Sequence, residues 1–204
     1  MSQLRIRPYQ PEDLPLLKHL ESQILPYTPD VTNEVEAMFE RARLAELAQE
    51  GNWMELPSLP ERSIAEEYEA YWVAEQEGNA GLLGIVGVQA FRAEEIIPNT
   101  HPLDKVWRER GGVAELRTLR VAPDTRRLGV GTQLCRTVIA WAISAGYNTL
   151  ILNTTAPQYP ALNLYRKLGF QEVGISYIGR YELVWLELDL TASVQACGSG
   201  SRFS

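Results

Sequence analysis

A glycine-containing segment between an apolar strand and an amphipathic helix places the tightest constraint on the fold of this chain. The segment Arg126-Arg127-Leu128-Gly129-Val130-Gly131-Thr132 follows the apolar stretch Leu119–Val121 and opens a helix predicted over 129–146. Two glycines two positions apart let the backbone approach a ligand without an intervening Cβ. The first turn of a helix offers unpaired N–H groups and a positive dipole end, which favour an anion. The segment therefore predicts a pyrophosphate site, and the alternative for its two glycines is an ordinary tight turn.

Charge is unevenly distributed along the 204 residues, whose formal net charge is −7 at pH 7. An acidic balance argues against nucleic acid as the main partner. Residues 116–136 nevertheless contain a single acid, Asp124, and five arginines: Arg117, Arg120, Arg126, Arg127 and Arg136. This local excess of cations indicates an anionic ligand, and the alternative is a set of solvated surface charges.

Composition narrows the class of protein. With 45% hydrophobic and 22% charged residues the chain is globular, and we expect one domain over 1–190 followed by a flexible tail, 191–204. No apolar run approaches the roughly 20 residues of a membrane span, and the N-terminus lacks the apolar core of a signal peptide. Cys135, Cys197, His19 and His101 suggest neither a metal site nor a disulfide framework. We therefore expect a cytoplasmic protein without metal or membrane, monomeric or homodimeric.

Hydrophobic periodicity predicts a mixed α/β sheet protein with the order β-α-α-β-β-β-α-β-α-β-β. The predicted strands cover 3–9, 71–75, 82–91, 113–121, 149–153, 170–178 and 181–190. The predicted helices cover 11–24, 32–49, 129–146 and 157–168, with a short acidic helix near 63–69. The polar stretch 92–111 contains Pro98 and Pro102 and is interpreted as a long loop.

A second segment, Ala161-Leu162-Asn163-Leu164-Tyr165-Arg166-Lys167-Leu168-Gly169-Phe170, follows the first by about thirty residues. It fits the pattern A-x-x-L-Y-x-K-x-G-F, and the first segment fits Q/R-x-x-G-x-G/A. In this order, and on these elements, the two segments resemble those of the GNAT family of N-acetyltransferases, over about residues 3–190. The resemblance implies the acyl-CoA N-acyltransferase fold and an enzyme of class EC 2.3.1. Such an enzyme moves the acetyl group of acetyl-CoA to a primary amine, without a metal.

The resemblance also implies the coenzyme A contacts. The pyrophosphate would lie on the amides of the motif formed by Arg126, Arg127, Leu128, Gly129, Val130, Gly131 and Thr132. The pantetheine arm would bind alongside Leu119, Arg120 and Val121, from which the next strand would diverge. Thr154 would supply backbone contacts. Gln158 stands where many members have an asparagine that contacts the coenzyme arm.

Tyr165 matches the family's proton donor to the departing thiolate. With ordinary pKa values of ~8.5 for a thiol and ~10 for tyrosine, this proton transfer is uphill by roughly 2 kcal/mol. The alternative is a core aromatic residue, because Ala161, Leu164 and Leu168 form an apolar stripe beside it. Cys135 lies within a helical stripe and is expected to be core rather than an acyl carrier.

Glu115 is the candidate general base. It stands eleven residues before Arg126, a spacing that resembles the catalytic glutamate of the histone acetyltransferase branch. A regular strand would place Glu115 on the same face as Leu119 and Val121, whereas a bulge would not. The alternative is a surface carboxylate paired with a neighbouring arginine, Arg117 or Arg120.

In the family that the chain resembles, the acceptor site is built by elements that correspond to 24–66, 92–111 and 174–184. The first of these is rich in glutamate, so a cationic acceptor such as a polyamine, a peptide amine or an aminoglycoside-like compound fits the charge. The alternative is a solvated helix face. A non-catalytic acyl-CoA-binding sensor is the competing function, and Tyr165 together with Glu115 favours the enzyme. The length of the acyl chain stays open.

Overall fold

The computed structural model describes residues 3–24, 70–78, 81–91, 103–156, 158–178 and 181–191. The strands are β1 (Leu4–Pro8), β2 (Ala70–Gln76), β3 (Leu82–Ala90), β4 (Val113–Val121), β5 (Thr149–Thr155), β6 (Gln171–Ile178) and β7 (Tyr181–Asp189). The α-helices are α1 (Leu14–Ile24), α2 (Asp104–Arg110), α3 (Val130–Ser144) and α4 (Tyr159–Lys167). The mixed α/β fold class predicted from the sequence is confirmed.

The described strands form one sheet in the order β1-β2-β3-β4-β5-β7-β6. Neighbouring strands pair antiparallel except β4 and β5, which run parallel and are connected through α3. Two parallel neighbouring strands need a crossover connection of this kind, because the chain must return to the same end of the sheet before the second strand begins. The crossover places the start of α3 at the carboxyl end of β4.

One face of the sheet is covered by α3 and α4. The buried residues of α3 recur at helical spacing and face the sheet: Val130, Leu134, Cys135, Val138 and Ala142. They join Leu162 and Tyr165 of α4 in the largest hydrophobic cluster. Gly84 of β3 permits this close approach, because a Cβ there would lie 2.7 Å from the carbonyl oxygen of Arg120 and 3.0 Å from Leu134 Cδ1.

The opposite face carries α1 and α2. Leu17 and Leu20 of α1 pack on Tyr71 and Val73, whose neighbours Trp72 and Ala74 point to the α3 side, as strand alternation requires. Towards the other end of the sheet, Trp107 of α2 is buried against Val113, Ile151 and Trp185. Its indole Nε1 donates a hydrogen bond of 2.7 Å to Glu187, which also accepts one from Arg110.

The structure corrects one expectation from the sequence, and others fall outside the described residues. The stretch 92–111, interpreted as a loop, contains α2, so that interpretation was wrong for Asp104–Arg110. Among the residues of this helix whose side chains are described, only Trp107 is deeply buried, and a single anchor produces no periodic pattern. The predicted helices at 32–49 and 63–69, and the tail from 192, lie outside the described residues. Within the described part of the chain, the helices are too short or too polar to cross a bilayer.

Candidate active site

A cleft opens in the sheet between β4 and β5. The two strands pair only from Val113 with Thr149 to Glu115 with Ile151. Beyond Glu115, β4 continues to pair with β3 on its other side, while β5 pairs with β7 along its whole length. Among the described residues, the backbone edge of β4 from Leu116 to Val121 therefore has no β5 partner. The expected divergence of the two strands is observed.

A β-bulge lies on β4 at the start of this cleft. Ile85 is opposite Arg120 and Gly87 is opposite Arg117, so β4 holds one residue more than β3 over this interval. Thr118 absorbs the irregularity with a φ of 55°, a left-handed conformation that is costly for a β-branched residue. The bulge reverses the alternation of side chains along the rest of the strand.

The bulge decides between the two side-chain arrangements that the sequence left open for Glu115. Leu119 and Val121 pack against the α3 and α4 cluster, as Leu116 does before the bulge. Glu115 alternates with Leu116 and shares its face with Val113, on the α2 side. Glu115 therefore lies on the face opposite Leu119 and Val121, not on the same face.

The start of α3 presents unpaired backbone donors. Gly129 is the N-cap residue with a φ of 86°, and Arg127 also has a positive φ of 67°. In the part of the chain that the structure describes, the N–H groups of Arg127 and of residues 129–132 have no protein acceptor. The side chains of Arg126, Arg127 and Leu128 are exposed around them. This group of amides and arginines suits an anion with several oxygen atoms.

Gly131 marks the point where three elements converge. A Cβ at this position would lie 3.3 Å from Leu164 Cδ2 and 3.5 Å from Val121 Cγ2. The start of α3 therefore packs tightly against α4 and the end of β4. This packing fixes the direction of the free amides relative to the cleft.

Tyr165 of α4 is 6% exposed and packs edge-on against Phe170, with ring centroids 5.8 Å apart. Its hydroxyl has no hydrogen-bond partner among the described residues. Burial raises the pKa of this hydroxyl, Cys135 raises it further, and Arg120 opposes both. The raised pKa makes proton transfer from Tyr165 to a thiolate more uphill than ordinary pKa values indicate.

Cys135 lies in the same cluster and is fully buried. Burial raises the pKa of its thiol to about 12. Because the thiolate is the nucleophilic form, a thiol with such a pKa is a poor acyl carrier at neutral pH. This agrees with its interpretation as a core residue.

Glu115 is buried at the point where β4 and β5 part. Its Oε2 lies 3.6 Å from Nη1 of Arg117. Its cross-strand neighbours are Gln89 on β3, which is also buried, and Ile151 on β5. The pairing with Arg117 considered from the sequence is observed, but the carboxylate is not a surface group. Sequence reasoning missed Gln89, because the register of β3 against β4 leaves no local signal.

Thr154 and Gln158 contact each other at the far side of the cleft. The buried hydroxyl of Thr154 donates a hydrogen bond of 2.7 Å to Oε1 of Gln158, the residue that caps α4. The amide oxygen of Gln158 is thus occupied, which leaves its NH₂ group for a ligand. No group of three or more potential metal ligands occurs within the described ranges.

Comparison with known proteins gives a consistent result. The family model described as "Acetyltransferase (GNAT) family" matches residues 32–170. The chain is 29% identical over 146 residues to N-acetyltransferase family 8 member 3 of Rattus norvegicus, covering 69% of this chain and 58% of that protein. It is 36% identical over 106 residues to the probable N-acetyltransferase camello of Xenopus tropicalis, covering 52% of this chain and 40% of that protein. The chain thus spans about half the length of these relatives.

A solved structure extends the comparison to the whole fold. Arabidopsis thaliana NAA60 in complex with acetyl-CoA matches 93% of this chain and 99% of its own, with a TM-score of 0.60 and 17% identity. At this level of identity the match supports the fold alone.

Proposed function

The chain belongs to the GNAT acetyltransferase family, and on that premise we propose that it transfers the acetyl group of acetyl-CoA to a primary amine. The observation that carries the proposal is the divergence of β4 and β5, which leaves one edge of β4 without a β5 partner on the way to the free amides that open α3. A thioester carrier with a diphosphate at one end and amides along its arm matches the spatial order of these protein groups.

Acetyl-CoA would bind as an additional strand. Its pyrophosphate would accept hydrogen bonds from the amides of residues 129–132, next to Arg126 and Arg127. Its pantetheine amides would pair with the open edge of β4 over Leu119–Val121, where β5 has withdrawn. The NH₂ group of Gln158 and the backbone near Thr154 would face the arm from the other side. Backbone groups left unpaired by the sheet would thereby find partners.

Direct attack by the amine is the mechanism that these residues support. An amine with a lysine-like pKa of ~10.4 must first lose a proton, which costs on the order of 4 to 5 kcal/mol at neutral pH. Glu115 would accept this proton as the nitrogen attacks the thioester carbon. The resulting oxyanion would accept a hydrogen bond from an amide at the open edge of β4.

Collapse of the tetrahedral intermediate would break the carbon–sulfur bond. Tyr165 would donate its proton to the departing thiolate and regain one from solvent through the cleft. Because burial raises the pKa of Tyr165, its hydroxyl would stay protonated until the thiolate departs and could then donate to it. Glu115 and Tyr165 belong to opposite faces of the sheet, so they would approach the thioester from its two sides.

Thiol release from acetyl-CoA across a panel of amines tests this proposal. We expect turnover by the wild type, and a kcat about a hundredfold lower in Tyr165→Phe with unchanged coenzyme A affinity. Tyr159→Phe is the matched control, since Tyr159 lies on the same helix but is 67% exposed. Coenzyme A binding without turnover of any amine would instead indicate a non-catalytic acyl-CoA sensor.

A further inference from the structure

Arg117 lies beside the proposed base at the closed end of the cleft. Glu115 and Arg117 pair with Gln89 and Gly87, which are themselves two residues apart on β3. Their side chains therefore project from the same face of the sheet, before the bulge reverses the alternation. The carboxylate of Glu115 is 7% exposed and the side chain of Arg117 is 44% exposed. The arginine is thus the accessible member of the pair.

This arginine is separate from the proposed phosphate site. The free amides belong to α3, which packs on the opposite face of the sheet. Arg117 lies where β4 has just lost its β5 partner, while Arg126 and Arg127 lie beyond the carboxyl end of the strand. An extended ligand whose diphosphate lies at α3 would bring its thioester, not its phosphates, towards Arg117.

A guanidinium at this place changes which amines fit. Arginine stays charged at all accessible pH values, so it provides a fixed positive charge beside Glu115. Its planar donors suit a carboxylate, to which they can give two charge-assisted hydrogen bonds. An α-amino acid holds its amine and carboxylate a few bonds apart, as close as Glu115 and Arg117 hold their opposite charges.

From this juxtaposition we infer that the acceptor is a carboxylate-bearing amine of the α-amino acid type. Its ammonium group binds at Glu115 and its carboxylate binds at Arg117. The inference rests on the proposed acetyl transfer and gives it a substrate class. It also replaces the cationic acceptor expected from the glutamates of 24–66, of which 25–66 lies outside the described residues.

Matched pairs of acceptors test this assignment. Thiol release is measured with alanine and alaninamide, with phenylalanine and phenylalaninamide, and with spermidine as the cationic acceptor. We expect kcat/KM about tenfold to a hundredfold higher for each acid than for its amide, as one charge-assisted contact would give. The amine of each amino acid amide is less basic than the amine of the corresponding free amino acid. Chemical reactivity alone would therefore favour the amide.

Three variants separate binding from folding. Arg117→Gln is expected to lose the preference through a higher KM for the acids, with a smaller loss of kcat/KM for the amides. Arg117→Lys should recover part of the preference, because it keeps the charge but not the bidentate geometry. Lys105→Gln removes a cation that is 85% exposed on α2 and should leave the preference intact.

The outcomes are distinguishable. Equal turnover of acids and amides by the wild type, or a preference for spermidine, overturns the substrate class while leaving acetyl transfer in place. An equal loss for acids and amides in Arg117→Gln would mean that Arg117 acts only through Glu115, which also overturns it. Absence of turnover with every amine, although acetyl-CoA binds, overturns the proposed function itself and this inference with it.

Discussion

The two edges of β5 behave differently although they belong to the same seven residues. Towards β7 the strand pairs at every position, from Thr149 with Asp189 to Thr155 with Leu183. Towards β4 it pairs only as far as Ile151. Strand-forming tendency is the same for both edges, so the difference arises from the neighbour. β4 carries the bulge at Thr118 and leads to α3, whereas β7 is regular along β5.

This difference has an energetic meaning. Backbone groups that lack a strand partner are costly where they are buried, and β4 runs beside the cleft from buried Leu116 to half-buried Leu119–Val121. The cleft is flanked by buried residues on both sides, Leu116 on β4 and Leu152 on β5. We therefore interpret it as a gap that a ligand with amide groups completes. The predictions below test whether the open edge differs from the paired edge in this way.

The largest effect is expected at the mouth of the open edge. Gly129→Val should raise the coenzyme A dissociation constant about a thousandfold, through loss of about two charge-assisted bonds to the pyrophosphate. A Cβ at Gly129 meets no protein atom within 4 Å, but it would project at the helix start with φ +86°. Calorimetric titration with coenzyme A measures the change.

The same helix offers a control at its other end. Gly146 has a φ of +85° and equally open surroundings. Gly146→Val should cost the same roughly 1 to 2 kcal/mol of backbone strain and leave coenzyme A affinity unchanged. Equal loss of affinity in both variants would show that strain, not the anion site, determines binding.

A smaller effect is expected at Glu115, the last residue of β4 that pairs with β5. Glu115→Gln should lower kcat/KM about a hundredfold at neutral pH, because no group then accepts the amine proton. The deficit should shrink as pH rises and the free amine becomes abundant. Glu109→Gln, which removes an exposed carboxylate on α2, is the control. A deficit independent of pH would argue for a structural role of Glu115.

The buried hydroxyl of Tyr165 predicts a stability effect at alkaline pH. Burial raises the pKa of Tyr165 in the folded protein, so its contribution is complete below the unfolded value of about 10 and is lost as pH rises above it. Unfolding free energy should then fall by up to about 1.4 kcal/mol per pH unit from this group. Tyr165→Phe should show a shallower decline between pH 9 and pH 11 than the wild type. Identical slopes in chemical denaturation would contradict the burial of the hydroxyl.

The smallest effect concerns the bulge itself. Thr118→Gly should leave stability within about 1 kcal/mol of the wild type, because relief of the left-handed strain offsets the added freedom of the unfolded chain. Thr149→Gly, in the regular part of β5 and buried, should cost more than Thr118→Gly. Equal losses in urea unfolding would mean that Thr118 is not strained.

The sequence predicts those parts of the fold that have local patterns. Periodicity located α3 and α4, and the two glycines with their flanking strand located the helix start at Gly129. The sequence pattern could not reveal the bulge at Thr118, because nothing in Arg117-Thr118-Leu119 differs from a regular strand. The bulge arises from pairing with β3, a contact between residues about thirty positions apart.

The candidate site likewise contains residues that a local sequence pattern reveals and residues whose surroundings depend on the fold. Tyr165 and the motif 126–132 are recognisable because the family pattern is continuous in sequence. The environment of Glu115 could not be recognised from the sequence. Its burial, its neighbour Gln89 and the face of the sheet on which it lies all depend on strand register. Burial of Tyr165 likewise changes the magnitude of its proton transfer in a way that residue type alone does not give.

Amide hydrogen exchange with and without acetyl-CoA tests the central claim most directly. The account predicts that ligand slows exchange at least tenfold at the amides of Leu119–Val121 and residues 129–132, while amides between β5 and β7 change little. Protection elsewhere in the chain, with the β4 edge and the α3 start unchanged, would contradict it.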